Sequence, residues 1–375
     1  MNKKMPLAFT FSGIIVLLGI AAFAVEPQKT IIRWPAVAGI TYPAEPEELL
    51  ATVKKFYEAA EVPEVPSHLC AVIASPAPYP LAGPISAHAF KSLQPGQYER
   101  VIIIAPGHGP AFENCSIPAV DAFITPLGPV ALDEAAVRYI LYKPVFQAHQ
   151  VNYEGGRHLT RVHEFEFAIE AILPYLQERL QDFKIVPILV GDLRDPEGVV
   201  RESALAGIAD ILKSIINERT LVVVSTNFTQ YGEEYDNVPF KDNVVENVAR
   251  LDRMAFEHIL NLDVKGFRAY LEETHNVIDG KDCIQILMKL LPQGAQPRIL
   301  AYETSASLNN NTATSVSYGA FTFHDPARPA LSAQPDKVRP LVLRRPEKIV
   351  TPPAEGESKP EPVPEVKAPA PSETE

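Results

Sequence analysis

The chain has 375 residues, of which 46% are hydrophobic and 21% charged, with 36 prolines and a formal net charge of −12. That length and apolar content suffice for a full core in one large domain or two ordinary ones. The acidic balance and the lack of any Lys/Arg-rich stripe exclude a nucleic-acid footprint. Three scattered cysteines exclude a disulfide framework or a Cys-x-x-Cys metal knuckle, leaving Cys70, Cys115 and Cys283 as small buried hydrophobes.

The chain opens with MNKKMPLAFTFSGIIVLLGIAAFAVEPQK, in which Lys3 and Lys4 precede an uncharged run from Met5 to Val25 that closes on Ala22-Phe23-Ala24. This predicts an export signal over residues 1–24, cleaved after Ala24. The alternative is an uncleaved anchor in the inner membrane formed by residues 5–25, a run long enough to span. No cysteine closes the run, so a lipid anchor is not expected. Either form places the folded part outside the cytoplasm, in a bacterial periplasm, and limits membrane contact to this segment.

Apolar β-rich runs then alternate with helical patterns. Strands are predicted at CAVIAS (70–75), RVIIIAP (100–106), FKIVPILV (183–190), TLVVVST (220–226), ILAYET (299–304) and SVSYGAFTF (315–323). Helices are predicted over 46–60, 133–141, 164–180, 201–218, 243–260, 264–273 and 282–291. The alternation argues for a single α/β domain over residues 30–324, with a largely parallel or mixed central sheet flanked by helices. From Asp325 to Glu375 the chain turns dense in Pro, Glu, Lys, Ser and Ala, a composition that predicts a disordered spacer with polyproline II character.

Few motifs carry chemistry by themselves. APGHGPAFENC (105–115) has glycines without the spacing of a phosphate loop, and no G-x-S-x-G elbow surrounds a serine. The nine histidines form no HExxH or HxH pair. His163 and Glu166 fall at the start of a predicted helix, where a surface capping or ion-pair role suits them better than a metal site. His108 is better placed, directly after the strand RVIIIAP, because ligands of open α/β sheets bind beyond the carboxyl ends of strands. The same position is held by TNFTQYG (226–232), so Asn227 and Gln230 are either cleft residues or an ordinary solvated strand end.

A resemblance rests on seven segments taken together. WPAVAGITYPAEPEEL (34–49), the APGHGPAFENC loop, ITPLGPVALD (124–133), EFAIEAILPYL (166–176), IVPILVG (185–191), VVVSTNFTQYG and HNVIDGKDCI (275–284) stand in the order and spacing of the Memo family, which in bacteria includes the AmmeMemoRadiSam system protein B type. The resemblance covers 31–324. It implies a fold related to the catalytic subunit of the class III non-haem iron extradiol dioxygenases, and a cleft of histidines and a cysteine that holds a metal, Fe or Cu.

Carried over residue by residue, that cleft is altered here. Pro76 stands where the family places a ligand histidine, in SPAPYPLAG, and Gly109 replaces the second histidine of the family's His-His pair while His108 keeps the first. Phe167 replaces a cleft histidine between Glu166 and Glu170. Asn227 and Gln230 replace Asp and His, and Asp279 replaces Cys. Side chains of Pro, Gly and Phe bind no metal, and amides do not titrate where Asp and His did. The expectation is an exported, non-catalytic binding or scaffold protein without a cofactor. Its cleft, lined by His108, Asn227, Gln230, Asp279 and Phe167, would take a small polar ligand, or the chain would serve an envelope protein. The alternative is a metal-dependent oxidoreductase, or an acid/base enzyme using His108 with Asp279 through a shifted ligand set.

Overall fold

The computed structural model describes residues 30–152 and 159–338, together with 341 and 343. Residues 1–24 and most of the Pro-rich segment lie outside the described residues. Among the described residues no helix is long and apolar enough to cross a membrane.

The chain runs through β1 (Ile32–Arg33), α1 (Pro46–Ala59), β2 (Ser67–Ala74), α2 (Tyr79–Phe90) and β3 (Arg100–Pro106), then through the short strands β4 (Cys115–Ser116), β5 (Ala122–Thr125) and β6 (Gly128–Ala131). Next come α3 (Glu134–Leu141), β7 (Phe146–Gln147), β8 (Gln150–Asn152), β9 (Leu159–Arg161), α4 (Ala168–Leu180), β10 (Lys184–Val190), α5 (Glu202–Lys213) and β11 (Thr220–Ser225). The last third holds β12 (Gln230–Tyr231), α6 (Val244–Leu260), α7 (Val264–Thr274), α8 (Lys281–Leu290), β13 (Gln296–Thr304), α9 (Ser305–Asn309) and β14 (Ser315–Pro329).

A mixed sheet in the order β12-β14-β2-β11-β3-β10-β4-β7 organises the domain, with β13 paired to β14. Its centre, β2-β11-β3-β10, is parallel. These strands are apolar on both faces because both faces are covered. Pro187 sits inside β10, where its missing N–H is tolerated because the neighbour β4 pairs only with Leu189 and Val190. The chain leaves β3 outward to β10 and then returns across β3 to β11, a reversal that opens a crevice at the carboxyl ends of these strands.

Helix α4 is buried on nearly every side. It packs on β3 and β11 and also on β5 of a separate sheet, β1-β5-β6. This double covering explains why AIEAILPYL lacks a clean polar face. Thr125 Oγ1 donates to Gln177 Oε1 (2.6 Å), and Gln177 Nε2 donates to the Gly128 carbonyl (3.2 Å), fixing the small sheet to the helix.

Three departures from the sequence-based expectations have physical reasons. Helix α2, with Pro80, Gly83 and Pro84 in twelve residues, carries no helical signal; Pro80 is tolerated in its first turn, Pro84 lies inside the helix and costs it one N–H donor, and packing offsets that cost where Gly83 lets Phe56 approach to where a Cβ would lie 2.4 Å from the ring. The helix expected from 164 begins at Ala168, after a single tight turn at Val162–Glu164. The boundary expected after residue 324 falls inside β14, which continues to Pro329 with Asp325 buried opposite His68. Beyond it, Gln97 Nε2 donates to the Leu331 carbonyl (2.8 Å) and Gln334 N to the Pro95 carbonyl (2.9 Å), so this stretch is held to the domain by its backbone.

Candidate functional site

The loop after β11 is stitched on three sides. Thr226 N donates to the Ala74 carbonyl (3.0 Å), Phe228 N to Ser317 (2.9 Å) and Gln230 N to Val277 (2.9 Å). Beneath it the buried Asp252 carboxylate accepts Thr229 N (3.1 Å) and Oγ1 (2.7 Å) and, on its other oxygen, Tyr302 OH (2.7 Å). These bonds present Asn227 and Gln230 in fixed positions toward the turn that precedes α8.

That turn carries Asp279, whose carboxylate is the hub of the site. Oδ1 accepts Asn227 N (3.0 Å), Gly280 N (2.7 Å) and the Thr226 hydroxyl. Oδ2 accepts Asn227 Nδ2 (3.2 Å), Gln230 Nε2 (3.2 Å) and His108 Nε2 (3.3 Å). Gly280 has no room for a side chain, because a Cβ there would lie 2.4 Å from Thr226 Oγ1.

His108, on the loop after β3, is held from its other side by Glu166. Its Nδ1 lies 2.9 Å from Glu166 Oε1, and its backbone N donates to Oε2 (2.7 Å). Ala168 N also donates to Oε1 (2.9 Å), so the first helical residue of α4 fixes the acceptor. Phe167 stacks on the imidazole with ring centroids 4.7 Å apart and planes 24° from parallel. Burial disfavours a charged imidazole, but the hydrogen bonds to Asp279 and Glu166 and their charges outweigh it, pushing His108 up to about 10. The ring is therefore an imidazolium at neutral pH, donating from both nitrogens.

The structure thus brings His108, Asn227, Gln230, Asp279 and Phe167 into one constellation. Gly109 is on its rim and open, since a Cβ there would meet nothing within 4 Å. Pro76 is buried past the end of β2, beside Ser75, whose Oγ donates to the Thr226 carbonyl (3.1 Å). His163 and Glu166, expected as a surface pair, are both buried and serve different ends. Glu166 anchors His108, whereas the His163 carbonyl accepts from Arg33 Nε (3.0 Å). The reason is the non-helical stretch 165–167, which turns Glu166 inward instead of placing it one turn above His163. A cavity of about 320 Å³ adjoins Asp279. The larger hollow of about 650 Å³, between Ser67, Lys91, Arg179 and His324, lies at the opposite end of β2 and shares none of these residues.

A family model described as Memo-like protein matches residues 33–322. The chain belongs to the Memo family. Its relatives include Protein MEMO1 of Homo sapiens, 26% identical over 312 residues covering 79% of this chain and 99% of that protein. Protein MEMO1 of Xenopus laevis is 27% identical over 306 residues, covering 78% of this chain and 97% of its own. A MEMO1 family protein of Thermococcus kodakarensis is 26% identical over 304 residues, covering 78% and 99% respectively. Among solved structures, an uncharacterized Escherichia coli K12 protein aligns over 68% of this chain and 99% of its own with a TM-score of 0.37 and 9% identity, too distant to bear on the fold.

The donor atoms in this Memo-family chain do not suit iron or copper. Both His108 nitrogens and both Asp279 oxygens are already committed to one another and to protein N–H and O–H groups. The one buried acceptor of the set without a partner is Asn227 Oδ1, a neutral amide oxygen. Among the described residues no group of three or more His, Cys, Asp or Glu is arranged to hold a metal ion.

Glu166 and Thr226 escaped the reading of the sequence as site residues. Thr226 precedes Asn227 directly and was within reach of a strand-end argument. Glu166 was not, because its role depends on the break before α4.

Proposed function

We propose that this Memo-family chain is an exported, non-catalytic binding or scaffold protein in which an ion-paired imidazolium occupies the place of a metal centre. The observation that supports this most is the bridge Glu166–His108–Asp279, with both ring nitrogens spent on carboxylates. The positive charge that a metal would supply between anionic side chains is here carried by the protein itself. An imidazole held protonated to about 10 is also a poor general base at neutral pH, which speaks against acid/base catalysis through His108 with Asp279. The cleft beside it would take a small polar ligand, and export would follow from the Lys3-Lys4 and Ala22-Phe23-Ala24 pattern.

Elemental analysis of the chain purified without chelators tests this reading, with His108→Ala and Asp279→Ala as companions. The expected result is no stoichiometric transition metal in any of the three. A metal bound one per chain and lost in either variant would overturn the proposal. Intact mass of periplasmic material is expected to show loss of residues 1–24, and retention of that segment would replace export with anchoring.

A further inference from the structure

The cavity beside Asp279 opens between the carboxyl ends of β3 and β10, where Gly107, Gly109 and Gly191 form its rim and Arg194, Lys281 and Asp282 line it. Its volume of about 320 Å³ is at the small end of ligand cavities. What it would bind follows from which polar valences are unspent.

Each carboxylate is engaged through at least one oxygen. Asp279 accepts six donors in the net already described. Asp282 Oδ1 accepts Gln285 Nε2 (2.9 Å), and Asp192 Oδ1, which also lines the cavity, accepts Arg194 N (2.9 Å). Among the described residues the cations have no hydrogen-bond acceptor: the half-buried Lys281 ammonium has no hydrogen bond and no ion pair, and the Arg194 guanidinium has one contact, 3.7 Å from Asp192 Oδ1. Lys281 is the first residue of α8, so the helix dipole adds to the preference for a negative group there. N–H donors without a hydrogen bond on two cations lining one cavity suit an anionic acceptor. Three neighbouring carboxylates, Asp192, Asp279 and Asp282, favour one negative charge over two.

We infer that this cavity binds a small monocarboxylate, held by the Lys281 ammonium and the Arg194 guanidinium. The inference rests on reading the cleft as a ligand site and adds the chemistry of the ligand. His108 does not itself line the cavity, so a carboxylate bound there meets the ionic net at Asp279 and leaves both ring nitrogens of the imidazolium bridge with their partners.

Isothermal titration of the full chain with acetate, lactate and pyruvate, with inorganic phosphate as the comparison, tests it. At least one monocarboxylate is expected to bind with one site per chain, and Lys281→Met and Arg194→Gln are each expected to weaken it by about tenfold or more. Lys281→Arg is expected to retain binding, which separates a lost charge from a damaged fold. Heats that never saturate for all three acids, affinities unchanged in both variants, or phosphate bound more tightly than every carboxylate would each overturn the inference. These outcomes are independent of metal content, so a metal-free chain that ignores carboxylates rejects this inference and leaves the proposed function standing.

Discussion

His108 Nε2 lies 3.3 Å from Asp279 Oδ2 while Nδ1 of the same ring lies 2.9 Å from Glu166 Oε1, so one imidazole joins two carboxylates 58 and 171 residues away in the chain. The ring holds together the loop after β3, the entry to α4 and the turn before α8.

The first prediction concerns pH. His108 titrates near 6.5 when unfolded and at about 10 when folded, so the folded state binds its proton more tightly. Its stabilisation is fully present below about pH 6.5 and is lost as pH rises through about 10. Substituting His108→Gln should therefore cost about 2–3 kcal/mol near pH 6, less than for a wholly buried pair because the side chain is 25% exposed. The difference between the two proteins should shrink toward pH 10. Urea unfolding of both across that range checks it, and a gap that stays constant with pH would remove the ionic account of the bridge.

Much of this was legible in the sequence, and what was not has identifiable causes. The strand cores were plain because RVIIIAP and LVVV are apolar without alternation, as strands covered on both faces must be. Helix α2 was hidden by its two prolines, one in its first turn and one inside it, which only packing in the folded chain makes tolerable. The convergence of Asn227, Gln230 and Asp279 came from their places in the family pattern and from strand ends. Composition gave none of it. Asp279 was placed beside His108 by the same pattern, but the second carboxylate partner, Glu166, was out of reach, since its contact depends on where the chain breaks before α4. Asp325 shows the same limit at the tail, where Pro-rich composition conceals a residue paired across from His68.

Glu170, in the first turn of α4 and four residues after Glu166, gives the second prediction. Fully buried, it accepts from the guanidinium of Arg33, from Tyr42 OH, and from the backbone of Ala36 (2.8 Å) and Val37 (3.1 Å), tying the segment 33–42 to α4. Glu170→Gln leaves the buried Arg33 without a counter-charge and should cost about 3–5 kcal/mol. Arg33→Met in the same chain should recover part of that loss. A double-mutant cycle in denaturant measures the coupling, and additive effects would contradict it.

The third prediction has the opposite pH sign from the first. Burial, with the nearby Arg33 charge, drives His163 down to about 3. Because the unfolded ring titrates near 6.5, stability is whole above about pH 6.5 and falls as pH drops toward 3. His163→Leu removes that acid penalty while leaving the carbonyl that Arg33 uses. The variant should lie within about 1 kcal/mol of the parent at neutral pH and exceed it by about 1–2 kcal/mol near pH 4. Thermal unfolding at both pH values decides, and a variant equally acid-labile would show that the penalty lies elsewhere.

The fourth prediction rebuilds what the family pattern implies was lost. Asp279 and Gln230 already face each other at 3.2 Å, and Gly109 borders the same cavity with open space where a Cβ would project. Asp279→Cys removes one anchor of the imidazolium bridge and supplies a thiolate, while Gly109→His and Gln230→His supply two imidazoles. Three such ligands suit copper or zinc. The triple variant should retain about one metal ion per chain after dialysis, with the parent as the metal-poor reference. The Asp279→Cys single variant separates a rebuilt site from adventitious thiol binding and should hold far less metal. If the triple variant binds no more than the single, the positions do not form a ligand set in this chain, and the substitutions at Gly109 and Gln230 carry no information about a former metal centre.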